Sequence, residues 1–137
     1  MDDFALHPQL AADTAEIARW DLCRVLLMND SSYPWLILVP QRPGLRDVHD
    51  LVGGDLAAAT AETVRASRLL ASLYQPTKMN VAALGNQVPQ LHIHVIARFT
   101  DDPAWPKPVW GVVPARPYTP VALEARVADL RAAMAAA

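Results

Sequence analysis

Apolar and polar positions along the chain follow two periods, one helical and one of two residues. Residues 9–20, QLAADTAEIARW, set Leu10, Ile17 and Trp20 among good helix formers and predict a short amphipathic helix. LCRVLLM at 22–28 is aliphatic and ends in Asn29-Asp30-Ser31-Ser32, a turn composition. WLILVP at 35–40 is a second apolar run of strand length, so a hairpin of 22–29 with 35–40 is expected. A polar connection, QRPGLRDVHDLVGG, follows. Residues 55–73 then lack both Pro and Gly and repeat Leu56, Thr63 and Leu70 at helical spacing, which predicts one long helix with Asp55 as its N-cap. KMNVAAL at 78–84 and QLHIHVIARF at 90–99 read as strands joined by Gly85-Asn86-Gln87-Val88-Pro89.

Residues 100–120 hold six prolines and two of the four tryptophans, which excludes a helix or a central strand there. Trp105 and Trp110 need something to pack on, so this is no flexible linker. Thr119 as N-cap and Pro120 in the first turn open a last helix with Leu123, Val127, Leu130 and Met134 on one stripe. The element order predicts an α+β fold with a mostly antiparallel sheet, one long helix and a C-terminal helix. No repeat or boundary interrupts it, so residues 1–137 are read as a single domain.

Composition narrows the function classes. Apolar residues make up 53% of the 137, enough to fill a core. Fourteen acidic residues stand against twelve basic ones, with no Lys/Arg run, so nucleic-acid binding lacks its usual driving force. Cys23 is the single cysteine, which excludes an internal disulfide framework and a Cys-rich zinc site. The acidic start MDDFALHPQ lacks the pattern of a secretory signal, and the apolar runs fall well short of the ~20 residues that span a bilayer. A soluble cytoplasmic protein with neither membrane nor nucleic-acid partner is expected.

The chemistry concentrates in Val88-Pro89-Gln90-Leu91-His92-Ile93-His94-Val95-Ile96-Ala97-Arg98. In a strand, Gln90, His92 and His94 share one face and Leu91, Ile93 and Val95 the other. The apolar face suits burial under the long helix, and the polar face presents two imidazoles about 7 Å apart. Three readings stand at this point. The histidines face solvent on an exposed sheet; or they form a zinc pair that needs His7, His49 or a carboxylate as third ligand; or a neutral imidazole acts as nucleophile beside groups that place a phosphate.

QLHIHVI resembles the histidine-triad (HIT) signature, His-φ-His-φ-His-φ-φ, in which φ is apolar. Leu26-Leu27-Met28-Asn29, Leu36-Ile37-Leu38-Val39-Pro40, Arg42-Pro43 and His49-Asp50-Leu51 are similar to the nucleotide-binding half of HIT hydrolases. Leu84-Gly85-Asn86-Gln87-Val88-Pro89 and the tail DPAWPKPVWG are similar to bacterial members, so the likeness spans about residues 20–111. It implies a homodimer whose sheets join, and hydrolysis at the α-phosphate of a purine nucleotide conjugate or dinucleotide. His92 would carry a covalent nucleotidyl group, as in a nucleoside phosphoramidase. His94 would donate to a non-bridging oxygen, Asn86 and Gln87 would hold phosphate, Asn29 the ribose, and Asn80 would contact substrate. No metal or cofactor is required, although a polyphosphate substrate would bring Mg²⁺ with it.

Two positions depart from the pattern. Gln90 stands where the first histidine of the triad is expected; its main-chain carbonyl can still accept from the neighbouring imidazole, and its amide can donate to substrate. Trp35 stands where several HIT hydrolases carry another histidine. Both departures favour the alternative of a nucleotide-binding regulatory module with little turnover. Exposed loop positions are expected for His49 and His7, a solvated pair for Asp101-Asp102, packing or dimer contacts for Trp105 and Trp110, and a small core residue for Cys23.

Overall fold

In the computed structural model, which describes residues 3–136, the elements run α1 (Pro8–Asp13), β1 (Thr14–Arg19), β2 (Cys23–Met28), β3 (Trp35–Pro40), α2 (Gly53–Tyr74), β4 (Lys78–Ala82), β5 (Ile93–Arg98) and α3 (Pro120–Ala136). The first two residues of the acidic start and the last of the 1–137 span lie outside the described residues. The strands form one antiparallel sheet in the order β1-β2-β3-β5-β4, so the fold is α+β as the pattern predicts. No helix among the described residues is long and apolar enough to cross a membrane.

The period of two divides the sheet into two buried faces. Val25, Leu27, Leu36, Leu38, Ile93 and Val95 pack under α2 and α3, against Ala59, Ala66, Leu70 and Leu130. Leu26, Trp35, Ile37, Val39 and Ile96 point the other way, onto Leu10 of α1 and onto Ala104 and Val109 of the proline-rich segment. Helix α3 follows its expected stripe: Leu130 is buried, Leu123, Val127 and Met134 pack beside it, and Thr119 Oγ1 accepts the Ala122 N–H at 3.2 Å. Helix α2 carries a buried acid, Glu62, whose carboxyl oxygens accept the backbone N–H groups of Leu22 and Cys23 at 3.0 and 2.8 Å. This pins the helix to the start of β2. Burial, reinforced by Glu62, pushes the Cys23 thiol far up, in keeping with an inert core residue.

The predicted starts and ends of the first two helices move. The helix expected over 9–20 ends at Asp13, and Thr14–Arg19 becomes the outer strand β1, paired with β2. Pairing with the free edge of β2 outweighs helix propensity, and it sends Leu10 and Ile17 to opposite sides of the sheet. Thr14 Oγ1 closes α1 by donating to the Leu10 carbonyl at 2.7 Å. Arg131 of α3 donates to the carbonyls of Ile17 and Glu16, covering part of the β1 edge. Helix α2 begins at Gly53 with Val52 as N-cap, so Asp55 lies inside the first turn, where it favours the dipole and binds Arg42 at 2.9 Å.

The proline-rich segment is held by polar groups, one of which, Asp102, was expected in solvent. Arg98, only 1% exposed, donates to both oxygens of Asp102 at 2.8 and 3.0 Å and to Asn80 Oδ1 at 2.9 Å. Asp102 is therefore no solvated loop residue. Its carboxylate also accepts the backbone N–H groups of Phe99, Ala104 and Trp105, which shapes the turn after β5. Further on, the Tyr118 N–H donates to Asn29 Oδ1 at 2.9 Å, and the Ser31 N–H donates to the Arg116 carbonyl at 2.7 Å. The segment is thus fastened to the β2–β3 turn as well.

Burial alone would raise the Asp102 carboxyl, but the Arg98 hydrogen bonds and the Phe99 and Trp105 N–H groups hold it below its ordinary 3.8. A carboxylate depressed in the folded state adds stability that is complete above the unfolded value and is lost as pH falls through the folded one. Asp102→Ala is expected to lower the unfolding free energy by about 3–5 kcal/mol near pH 7, because it leaves Arg98 buried without its partner. Urea denaturation should show that deficit shrinking below pH 3.8. A deficit under about 1 kcal/mol at pH 7 would mean that the pair is replaceable by water.

Candidate active site

The site begins in the loop between β4 and β5. Gly85 has a φ of +76°, and a Cβ there would meet the Val88 carbonyl at 3.3 Å, so the turn requires glycine. The loop ends where the Leu91 N–H donates to the Leu45 carbonyl at 3.0 Å and the Leu91 side chain enters the core. Strand β5 starts only at Ile93, so Gln90 and His92 precede the ladder rather than extend it. The two imidazoles converge as a result. Their ring centroids lie 4.9 Å apart and nearly perpendicular, closer than strand spacing alone provides.

Each ring has a single polar partner on Nδ1, and the two partners are of opposite kinds. His92 Nδ1 lies 2.7 Å from the Gln90 carbonyl, which only accepts, so Nδ1 carries the hydrogen and Nε2 is the lone pair of the neutral ring. His94 Nδ1 lies 3.0 Å from the indole nitrogen of Trp35, which only donates, so Nδ1 is the acceptor and Nε2 carries the hydrogen. Both rings are buried. Burial first, and then the neighbouring His92, lower the His94 pKa from 6.5 to about 4. His94 is therefore neutral near pH 7.

Both histidines border a cleft of about 350 Å³. Leu10, Met28 and Ile37 give it an apolar side, Asn86 and Gln87 a polar one, and Asp13 and Trp110 also line it. Trp110 closes on the pair, its ring 5.0 Å from His94 and 5.8 Å from Trp35. Such a cleft offers an apolar slot for a flat ring, amides for phosphate oxygens, and one imidazole lone pair beside one imidazole N–H.

The sequence-nominated residues divide into two groups. His92, His94, Asn86 and Gln87 come together in this cleft. The Gln90 side chain turns away: its Oε1 accepts the His7 N–H at 2.9 Å and its Nε2 donates to the Ala5 carbonyl at 2.8 Å. Only its main chain serves the site. Asn29 is engaged by Tyr118, and Asn80 by Arg98, so the side-chain oxygens of both support structure. His7 caps α1, its Nδ1 accepting the Gln9 N–H. Among the described residues, the side chains arranged to share one metal ion are Asp47, His49 and Asp50, all exposed, and neither His92 nor His94 belongs to that group. Asp50 is itself occupied with the backbone N–H groups of Arg46 and Asp47.

A HIT domain profile matches residues 9–101, more than half of the chain. The chain belongs to the HIT domain family. Among solved structures it is similar to a histidine triad protein from Marinobacter aquaeolei VT8, with 45% identity over 97% of each chain and a TM-score of 0.93. It is also similar to one from Bradyrhizobium japonicum, with 43% identity, 94% of this chain and 96% of that one covered, and a TM-score of 0.91. A third, from Sinorhizobium meliloti 1021, shares 42% identity over 93% of this chain and 95% of its own, with a TM-score of 0.90. No curated protein matches in sequence.

The HIT domain profile begins at residue 9, whereas the motif likeness read from sequence begins near residue 20. The difference covers α1 and β1, and α1 brings Leu10 and Asp13 to the cleft. Sequence reasoning missed both, because the helix expected over 9–20 hid the turn that aims them there. Trp35 was legible in one respect: it shares strand parity with Ile37, and Ile37 pairs directly with His94.

Proposed function

We propose that this HIT domain protein hydrolyses a purine nucleotide conjugate or dinucleotide at its α-phosphate, with His92 as nucleophile. The observation that carries the reading is the Gln90 carbonyl on His92 Nδ1, which leaves the Nε2 lone pair free beside a cleft that Asn86 and Gln87 also line. In the first step Nε2 forms a bond to the α-phosphorus, and the bond to the leaving group breaks with its electron pair on the departing atom. Water then forms the new P–O bond and the P–N electron pair returns to Nε2, while the proton that water gives up passes through solvent to balance the one taken up by the departed amine or phosphate. Asn86 and Gln87 hold phosphate oxygens, and His94 donates from Nε2 to a non-bridging oxygen where charge develops. The Gln90 amide and the side-chain oxygens of Asn29 and Asn80 hydrogen-bond within the protein, so any contact of Asn29 or Asn80 with substrate would fall to their NH2 groups. No metal is needed for either step, and Mg²⁺ would arrive with a polyphosphate substrate.

Mixing the protein with an adenosine phosphoramidate and quenching in alkali should trap an acid-labile nucleotidyl adduct on the peptide containing His92. His92→Ala should lose adduct and turnover while keeping nucleotide affinity, and His94→Ala should slow the reaction by ~10²–10⁴-fold yet still form adduct. Binding of AMP with neither adduct nor turnover would instead favour a nucleotide-binding regulatory module, the reading that Gln90 and Trp35 suggest. A His92→Ala variant with wild-type turnover would refute the covalent route.

The whole chain acts as one domain and pairs with a second copy. Among the described residues strand β4 is paired on one side only, and Val48, Leu56, Val64, Val81 and Leu84 are large apolar side chains left exposed. Light scattering at micromolar concentration should give about twice the mass of one chain. A single-chain mass would overturn the dimer.

A further inference from the structure

We propose that Trp35 is a positioning residue that fixes His94 as a permanent Nε2–H donor, so that this histidine meets the charge developing on a phosphate oxygen without cycling a proton. The inference rests on the reading above for the identity of the substrate, while the tautomer itself needs no substrate to observe. An indole N–H donates and has no lone pair to offer. Its 3.0 Å bond to Nδ1 therefore selects one tautomer of His94. Proton uptake at Nδ1 would set N–H against N–H, so protonating the ring requires Trp35 to move.

The surroundings oppose that movement. Trp35 is 4% exposed and His94 6%, both inside the sheet face covered by the proline-rich segment. Tyr33 packs edge-on at 6.2 Å from the Trp35 ring, and Trp110 packs edge-on at 5.8 Å from it and 5.0 Å from His94. The backbone neighbours of His94 across the ladder are Ile37 and Ala82, neither of them titratable. The titratable groups that face it are His92, 4.9 Å away between ring centroids, and Asp13, which lines the same cleft from α1. Arg98 and Asp102, further along that face, are engaged with each other. An imidazole at position 35 could both give and take a proton and would leave the tautomer of His94 free; tryptophan can only give. Position 35 thus supplies a fixed dipole, with charge at the transition state met by an aligned N–H rather than by an imidazolium.

Two-bond ¹H–¹⁵N correlation spectra of the histidines test this directly. Wild-type His94 should show the Nε2–H tautomer alone at pH 7 and titrate only near pH 4. Replacing Trp35 by benzothienylalanine keeps the ring shape and puts sulfur in place of N–H; Trp35→Phe removes the donor more crudely. In both, His94 should become a tautomer mixture with a raised titration midpoint. Adduct formation on His92 should slow about 10-fold at unchanged nucleotide affinity, short of the ~10²–10³-fold cost of deleting a donor outright. A wild-type Nδ1–H tautomer, or variants with unaltered tautomer and rate, would overturn the proposal. If the variants release the tautomer while wild-type protein turns over no nucleotide, the positioning role stands and the hydrolase reading falls.

Discussion

Strand β5 buries an imidazole and a guanidinium on one face of the sheet, His94 and Arg98, and the molecule is organised around satisfying them. A buried polar group without a partner costs several times what a typical hydrogen bond contributes, so neither could be left to the solvent-poor interior. Arg98 receives Asp102 and Asn80, and Asp102 in turn collects three backbone N–H groups from the segment after β5. That cluster turns the proline-rich chain back across the sheet, where Val109 joins the second core and Trp110 reaches the histidines. His94 receives Trp35. The structural half and the chemical half of this face therefore share one strand and are set by the same alternation.

The chemical half gains its asymmetry from two partners that cannot exchange roles. A carbonyl fixes the hydrogen of His92 on Nδ1, and an indole fixes that of His94 on Nε2. Two identical side chains, two residues apart, thereby offer one lone pair and one N–H toward the same cleft. Neither assignment depends on a histidine at position 90 or 35. The glutamine at position 90 serves the first bond through its main chain, and its side chain anchors residues 5 and 7 of the N-terminal segment.

Much of this was legible in the sequence where local pattern and tertiary context agree. The β2–β3 hairpin, the long helix, the last helix and the apolar underside of β5 all follow from periodicity, because the buried stripe and the local propensity coincide. Residues 14–19 were misread because good helix formers there are recruited by the free edge of β2, a long-range constraint that no window of sequence contains. Asp102 was read as solvated because an acidic pair in a proline-rich stretch carries no mark of the buried arginine four residues earlier. At the site, His92, His94, Asn86 and Gln87 line one cleft, whereas the side-chain oxygens of Asn29 and Asn80 bond to Tyr118 and Arg98. Short polar side chains at strand ends serve either purpose equally well, and spacing does not separate the two.

The central claim is that the cleft presents the His92 lone pair and the His94 N–H to one phosphate. A crystal structure of the protein soaked with AMP tests it most directly. The phosphorus is expected within roughly 3–3.5 Å of His92 Nε2, one non-bridging oxygen on His94 Nε2, and the base against Leu10, Met28 and Ile37. A phosphate bound away from His92, or a His92 ring turned so that Nε2 faces the Gln90 carbonyl, would contradict it.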